Sequence, residues 1–232
     1  MRMAQAGRCV VKWKFAGMVL IRHMVVVGLV LMKAGMAGDT ASLHVANVNF
    51  DFRPGWTLQV HTRVRTFENV STFNQFRIGP IVTWQATPRF LAITGYYYID
   101  QNVQVIHKPY SLHRVFSGGQ YRVVSRARWS VDGRSAMERF ISTGFHDYWR
   151  WRNRALVSGN TRLEAPYVSG EALVQQGIWY GRYTAGMQWK LGPKVMVGAG
   201  YEYRPAPNGP PSHIIATIVQ WSAYTRRPAH KD

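Results

Sequence analysis

Nearly every second residue is apolar or aromatic in Arg182-Tyr183-Thr184-Ala185-Gly186-Met187-Gln188-Trp189-Lys190-Leu191 and in Val195-Met196-Val197-Gly198-Ala199-Gly200-Tyr201-Glu202-Tyr203-Arg204. The residues between are polar or small, and Gly192-Pro193-Lys194 joins the two halves. Period-two patterning on either side of a short Gly-Pro turn predicts a β-hairpin with one greasy and one polar face. Each strand is about 10 residues long, which matches the roughly 9–11 residues a tilted strand needs to cross a bilayer.

The same pattern predicts eleven strands in one domain. They lie near Ser42–Phe52, Trp56–Thr66, Phe73–Gln85, Phe90–Ile99, Leu112–Val123, Arg128–Phe140, Tyr148–Val157, Glu164–Val174, Arg182–Leu191, Val195–Arg204 and Ser212–Trp221. The turns at Arg53-Pro54-Gly55, Thr87-Pro88-Arg89, Val124 to Ala127 and Gly192-Pro193-Lys194 are tight. The connections Asn69 to Thr72, Asp100 to Tyr110, Ser142 to Asp147, Gln175 to Gly181 and Pro205 to Pro211 are expected to be longer. Outer-membrane barrels show this asymmetry between the two ends. The first strand breaks even parity, so it either pairs with a twelfth strand or lies across the barrel mouth.

The aromatics divide by strand end. Trp56, Trp84, Phe90, Trp129, Trp189 and Trp221 fall beside the tight turns. Tyr97, Tyr148, Trp149, Trp151, Trp179, Tyr183, Tyr201 and Tyr203 fall toward the long connections. Two belts flanking a band of Val, Leu, Ile, Ala and Gly are expected where amphipathic rings meet two headgroup layers. The competing account is a soluble sandwich core capped by aromatics.

If the apolar face meets lipid, the alternate residues line a lumen. These are Gln59, His61, Arg63 and Arg65, then Gln75, Arg77, Thr83 and Gln85, then Tyr96 and Tyr98. Arg114, Gln120, Arg122, Arg134, Glu138, Arg150, Arg152 and Arg154 follow. Tyr167, Ser169, Glu171, Arg182, Thr184, Gln188, Lys190, Glu202 and Arg204 complete the set. Twelve of these are cationic and three acidic, so the expected interior is strongly basic. Arg–Glu networks there serve packing first. The surplus charge calls for water, small anionic solutes or the phosphates of lipopolysaccharide.

Composition then narrows the setting. The 232 residues carry 29 Lys and Arg against 11 Asp and Glu, a net charge of +18. Residues 1–37 contribute six of the basic residues and no acid. There the compact apolar run Met24 to Met32 precedes Ala34-Gly35-Met36-Ala37. That arrangement predicts a secretory signal peptide cleaved after Ala37, with a membrane anchor the weaker alternative because Arg22 and His23 cut the run short. What remains is a barrel over 38–222 and a basic tail over 223–232. Cys9 departs with the signal, so thiol catalysis and disulfides are excluded from the mature chain.

Catalytic candidates are Ser111 with His113, His61 facing the lumen, and His146 beside Asp147. Two residues apart on a strand, Ser111 and His113 are about 7 Å apart, too far for a nucleophile–base bond. The chain is therefore expected not to be an enzyme. No metal-ligand spacing or phosphate-cradling glycine loop occurs, so no cofactor is expected. Nucleic acid is an improbable partner for an exported chain.

An ordered set of segments carries a family resemblance. It comprises Leu58-Gln59-Val60-His61-Thr62-Arg63, Gly95-Tyr96-Tyr97-Tyr98, His113-Arg114 with Gln120-Tyr121-Arg122, and Arg134-Ser135-Ala136-Met137-Glu138-Arg139-Phe140. It continues through Trp151-Arg152-Asn153-Arg154-Ala155-Leu156, Glu171, Arg182-Tyr183-Thr184-Ala185-Gly186 and Gly200-Tyr201-Glu202-Tyr203. From Trp56 to Trp221 the chain resembles the outer-membrane β-barrel family known as domain of unknown function 2490. The family tends to carry an acid where this chain has Leu112, and the chain runs on past Trp221 where barrels usually end on an aromatic.

That resemblance implies a Gram-negative outer-membrane location and contact with the barrel assembly machinery, and assigns no activity. The expected architecture is thus all-β, a single antiparallel up-and-down transmembrane barrel of ten to twelve strands. Its expected role is structural, or a narrow pathway favouring anions. A soluble periplasmic lipocalin-like barrel is the alternative, with Arg63, Arg77, Arg152 and Arg182 outside and Tyr183, Met187 and Val197 inside. A lipid-modifying barrel enzyme is a third.

Overall fold

The computed structural model describes residues 40–67, 70–102, 109–144, 146–159, 161, 163–205 and 211–224. The expected signal peptide, and the tail from 225 onward, lie outside them. Eleven strands are present: β1 (Thr40–Arg53), β2 (Trp56–Phe67), β3 (Thr72–Gln85), β4 (Phe90–Asn102), β5 (Pro109–Ser125), β6 (Trp129–Ser142), β7 (Tyr148–Gly159), β8 (Glu164–Gln175), β9 (Ile178–Lys190), β10 (Val195–Arg204) and β11 (Ser212–Tyr224). Each has at least 10 residues. The last strand carries the barrel to Tyr224, two residues past the expected boundary.

Every strand pairs with its sequence neighbour, and the ring closes between β1 and β11. Ten contacts are antiparallel hairpins. The eleventh, β1 with β11, is parallel, from Thr40 opposite His213 to Asn49 opposite Ser222 before the register shifts. An odd number of up-and-down strands leaves first and last pointing the same way, so closure requires this parallel seam. The first strand is neither a plug across the mouth nor half of a pair with a twelfth strand. It is wall.

The two ends differ less than the sequence suggested. One end has turns of two to four residues and the other connections of two to seven. The shortening comes at Gln176-Gly177, where β8 turns directly into β9. Both residues have positive φ, +51° and +79°, the conformation whose twist matches that of paired strands. Trp179 and Gly181, expected in a loop, therefore belong to β9.

Burial alternates along the strands and fixes the faces. Ile81, Ile93, Tyr97, Ile99, Leu112, Phe116 and Phe140 form one buried cluster on the inner wall of β3 to β6. Ala41, Leu43, Ile214 and Ala216 form a second behind the parallel seam. Between these apolar sectors the interior is polar. The outer face exposes Val115, Met137, Val157, Val168, Tyr183 and Val219. Arg77 is buried and Tyr183 is exposed, so the faces are not reversed as a lipocalin-like interior would require.

Gly79 shows how tightly the wall is drawn. A Cβ there would fall 2.0 Å from the Tyr96 carbonyl oxygen. Next to Pro80, which has no N–H to give a neighbouring strand, β3 and β4 approach closely enough to admit only glycine.

Candidate functional site: the guanidinium-lined interior

Parity places the inner residues. On β6 and β7 the even positions point inward, so Arg134 and Glu138 meet Arg150, Arg152 and Arg154 across one strand pair. Glu138 lies directly opposite Arg150 and is fully enclosed. Its Oε2 accepts from the Arg150 Nε at 2.7 Å, and Arg152 Nε stands 3.1 Å from Oε1. Arg114, on β5, donates to Oε1 as well. One carboxylate is thus shared by three guanidiniums from the two flanking strands, leaving net positive charge.

A second network lies across β8, β9 and β10. Arg182 bridges Glu171 at 3.1 Å and Glu202 at 3.5 Å, and Arg204 also pairs with Glu202. Arg154 stands directly opposite Glu171 in the β7–β8 register. Such bidentate-capable pairs need hydrogen bonds as well as charge to offset desolvation. Toward the tight-turn end Arg122, half exposed, pairs with Asp132 at 3.0 Å.

Among the described residues Arg63 and Arg77 form no ion pair with a carboxylate. Arg63 and Arg77 face one another across β2 and β3, and both donate to the same atom, Gln75 Oε1. The Gln75 amide passes on to Gln101 Oε1 at 2.8 Å. Arg77 and Arg114 each lie 5.0 Å from the centre of the Tyr97 ring. His61 sits 5.1 Å from the same ring, its Nδ1 bonded to Asn47 Oδ1 at 2.8 Å. A polar ladder continues toward the tight-turn end through Gln59 with Asn49 at 2.9 Å and Thr57 with Asp51 at 2.6 Å.

The structure thus brings Arg63, Arg77, Arg114, Arg134, Glu138, Arg150, Arg152, Arg154, Glu171, Arg182, Glu202 and Arg204 onto one inner face. Arg65 shares it, opposite Leu43 of β1 and Gln75 of β3. The correction is on β4. Tyr97 points inward with Ile93 and Ile99, while Tyr96 and Tyr98 point outward. Periodicity missed this because polar was equated with inside, and the inner face of β4 is apolar. Asp132 and Asp51 were missed too, although Asp132 shares the parity of Arg134 and Glu138.

Outward, Tyr96 shares a 2.6 Å hydrogen bond with His113 Nδ1, and Tyr98 hydroxyl lies 3.0 Å from Ser111 Oγ. Ser111 and His113 each bond a tyrosine rather than one another. The pattern repeats where Tyr201 bonds His213 Nδ1 and Tyr203 stands opposite it in register. The Asp147 carboxylate, beside His146 in the chain, bonds Arg139 and the Ser142 N–H. Among the described residues no group of three or more His, Cys, Asp or Glu is placed to hold a metal.

The aromatic positions divide. Trp84, Trp129, Trp149, Trp221 and Tyr183 are exposed on the outer face, and Trp56 stacks on Trp84 at 5.6 Å. Tyr201 and Tyr203 share that face, packed on His213. Trp189 departs from its expected place: it has the outward register of Met187, yet only 7% of it is exposed. An outer depression of about 810 Å³ is floored by Gly119, Gly133, Ser135, Ala155, Gly170 and Ala172 and flanked by Phe90, Tyr121 and Tyr183.

No curated protein matches the chain. Residues 42–211 match the family model described as "Protein of unknown function (DUF2490)", a span that runs from within β1 through β10 and ends just before β11. That span takes in the arginine–glutamate networks of the inner wall, and the chain belongs to this family.

Proposed function

We propose that the protein is an outer-membrane β-barrel whose basic interior holds or passes small anions, exported by the signal peptide in residues 1–37. One observation carries this reading: the wall is apolar outside and cationic inside. Large apolar side chains stand exposed around the outer face, while eleven arginines face the interior with Glu138, Glu171, Glu202, Asp51 and Asp132 among them. In water the outer face would be a costly hydrophobic surface; in lipid it is the required one. Closure of the ring supports the same reading, since it leaves no unpaired strand edge for hydrocarbon to meet.

On this reading the interior is a narrow route and not a wide porin channel. The burial of Arg114, Phe116, Glu138 and Phe140 within it supports a route that is narrow and lined by guanidiniums. A ring of such groups favours anions. Outer-membrane lipids, lipopolysaccharide phosphates at the rim and the assembly machinery are the partners this reading implies. Planar-bilayer recording of the refolded barrel tests it. Anion-over-cation permeability is expected; cation selectivity, or recovery of the protein in the soluble fraction without detergent, rejects it.

A further inference from the structure

We propose that the interior contains a binding site for a phosphate-class oxyanion, formed by Arg77 and Arg114 over the Tyr97 ring together with Arg63 opposite Arg77. The inference deepens the reading of a basic lumen but depends on the inner face alone, whatever surrounds the barrel.

The charges at this place do not balance. Arg63 and Arg77 stand directly opposite each other, where like charges repel. Neither forms an ion pair among the described residues, and the group between them, Gln75, is neutral. Arg114 has Glu138, but shares it with Arg150 and Arg152.

The donors do not balance either. The Nε of Arg63, the Nε of Arg77, and both Nε and Nη1 of Arg114 are shut off from solvent with no hydrogen-bond partner among the described residues. Arg77 is 7% exposed and Arg114 2%. A buried charged donor left unmet is costly, so four within one cluster call for an acceptor there. The Tyr97 ring holds the two guanidiniums 5.0 Å from its centre and offers only its π face to them.

The acceptor's chemistry follows from this geometry. Donors arrive from three strands, β2, β3 and β5, and from more than one direction. A planar carboxylate has two oxygens and one charge. A phosphate or phosphate monoester presents several oxygens tetrahedrally and up to two charges, and guanidinium forks match it bidentately. The same chemistry is available from free phosphate and from a phosphorylated lipid headgroup.

The test uses the full mature barrel refolded in detergent. Inorganic phosphate, against chloride at equal ionic strength, is expected to raise the thermal unfolding midpoint. Arg77→Gln is expected to weaken phosphate binding by about tenfold or more, the value of one charged hydrogen bond. Without phosphate that variant is expected to unfold closer to the parent than it does with phosphate, because the lost Tyr97 stacking is offset by removal of one of two opposed charges. Arg139→Gln, on the exposed outer pair, is expected to leave phosphate binding unchanged.

Phosphorus assay of protein isolated from membranes separates the sources. Phosphorus that leaves with chloroform–methanol marks a lipid headgroup, and phosphorus that stays in water marks the free ion. No phosphate-specific shift in the parent, with Arg77→Gln equally destabilised in both buffers, overturns the site. An anion-selective barrel showing that result would retain the basic lumen and lose only the phosphate site.

Discussion

Glu138 lies directly opposite Arg150 on the inner wall, and both its oxygens are committed to arginines. Because three guanidiniums depend on it, replacing it does more than remove one pair. Glu138→Gln strands Arg114, Arg150 and Arg152 in an interior already short of negative charge. Breaking a buried ion pair from one side costs about 3–5 kcal/mol. That loss, measured as urea unfolding of the refolded barrel, is the expected outcome. Asp147→Asn breaks the exposed Arg139–Asp147 pair and is expected to cost about 1 kcal/mol or less.

Tyr97 is expected to act through its ring and not its hydroxyl. Two guanidiniums stack over it, and desolvated cation–π contacts are worth up to about 2 kcal/mol each. Tyr97→Leu should therefore lower stability by about 2–4 kcal/mol, with Tyr97→Phe close to the parent. Equal losses from both variants would transfer the role to the phenol oxygen.

The outer face gives a direct test of its surroundings. Val168, inside β8, is 60% exposed. In a bilayer, Val168→Arg is expected to cost about 2–4 kcal/mol near the mid-plane. On a water-facing surface the same change stays within about 0.5 kcal/mol. Unfolding from phospholipid vesicles distinguishes the two.

Two glycines should fail for different reasons. Gly79→Ala places a methyl into the Tyr96 carbonyl, and overpacking against backbone costs about 3 kcal/mol or more. Gly177→Ala has open space around it but a φ of +79°, for which about 1–2 kcal/mol is expected. Both are read from denaturant midpoints.

Strand number and most of the inner arginines were legible in the chain because period two survives wherever the two faces differ in polarity. Arg134, Glu138, Arg152 and Glu171 alternate with Met137, Trp151 and Val168, and the parity is unambiguous. Tyr96-Tyr97-Tyr98 gives no such contrast. Three identical residues fit either phase, and the flanking Ile93 and Ile99 face inward against Phe116 and Leu112. The Gln176-Gly177 turn was hidden because Ile178-Trp179-Tyr180 is an unbroken apolar run with no period-two contrast; the glycine was the available signal. Which residues would close the ring was not legible, because parallel pairing of β1 with β11 leaves no local mark on either strand.

That seam joins residues such as His44 and Thr217, whose side chains hydrogen-bond at 2.8 Å across 173 positions of sequence. The ten hairpins can zip locally, each from its own turn, but the last contact must wait for the two extremities of the wall to find one another. Until then both bear raw ladders of N–H and C=O, so the rate-limiting and most aggregation-prone moment of assembly falls at the final join.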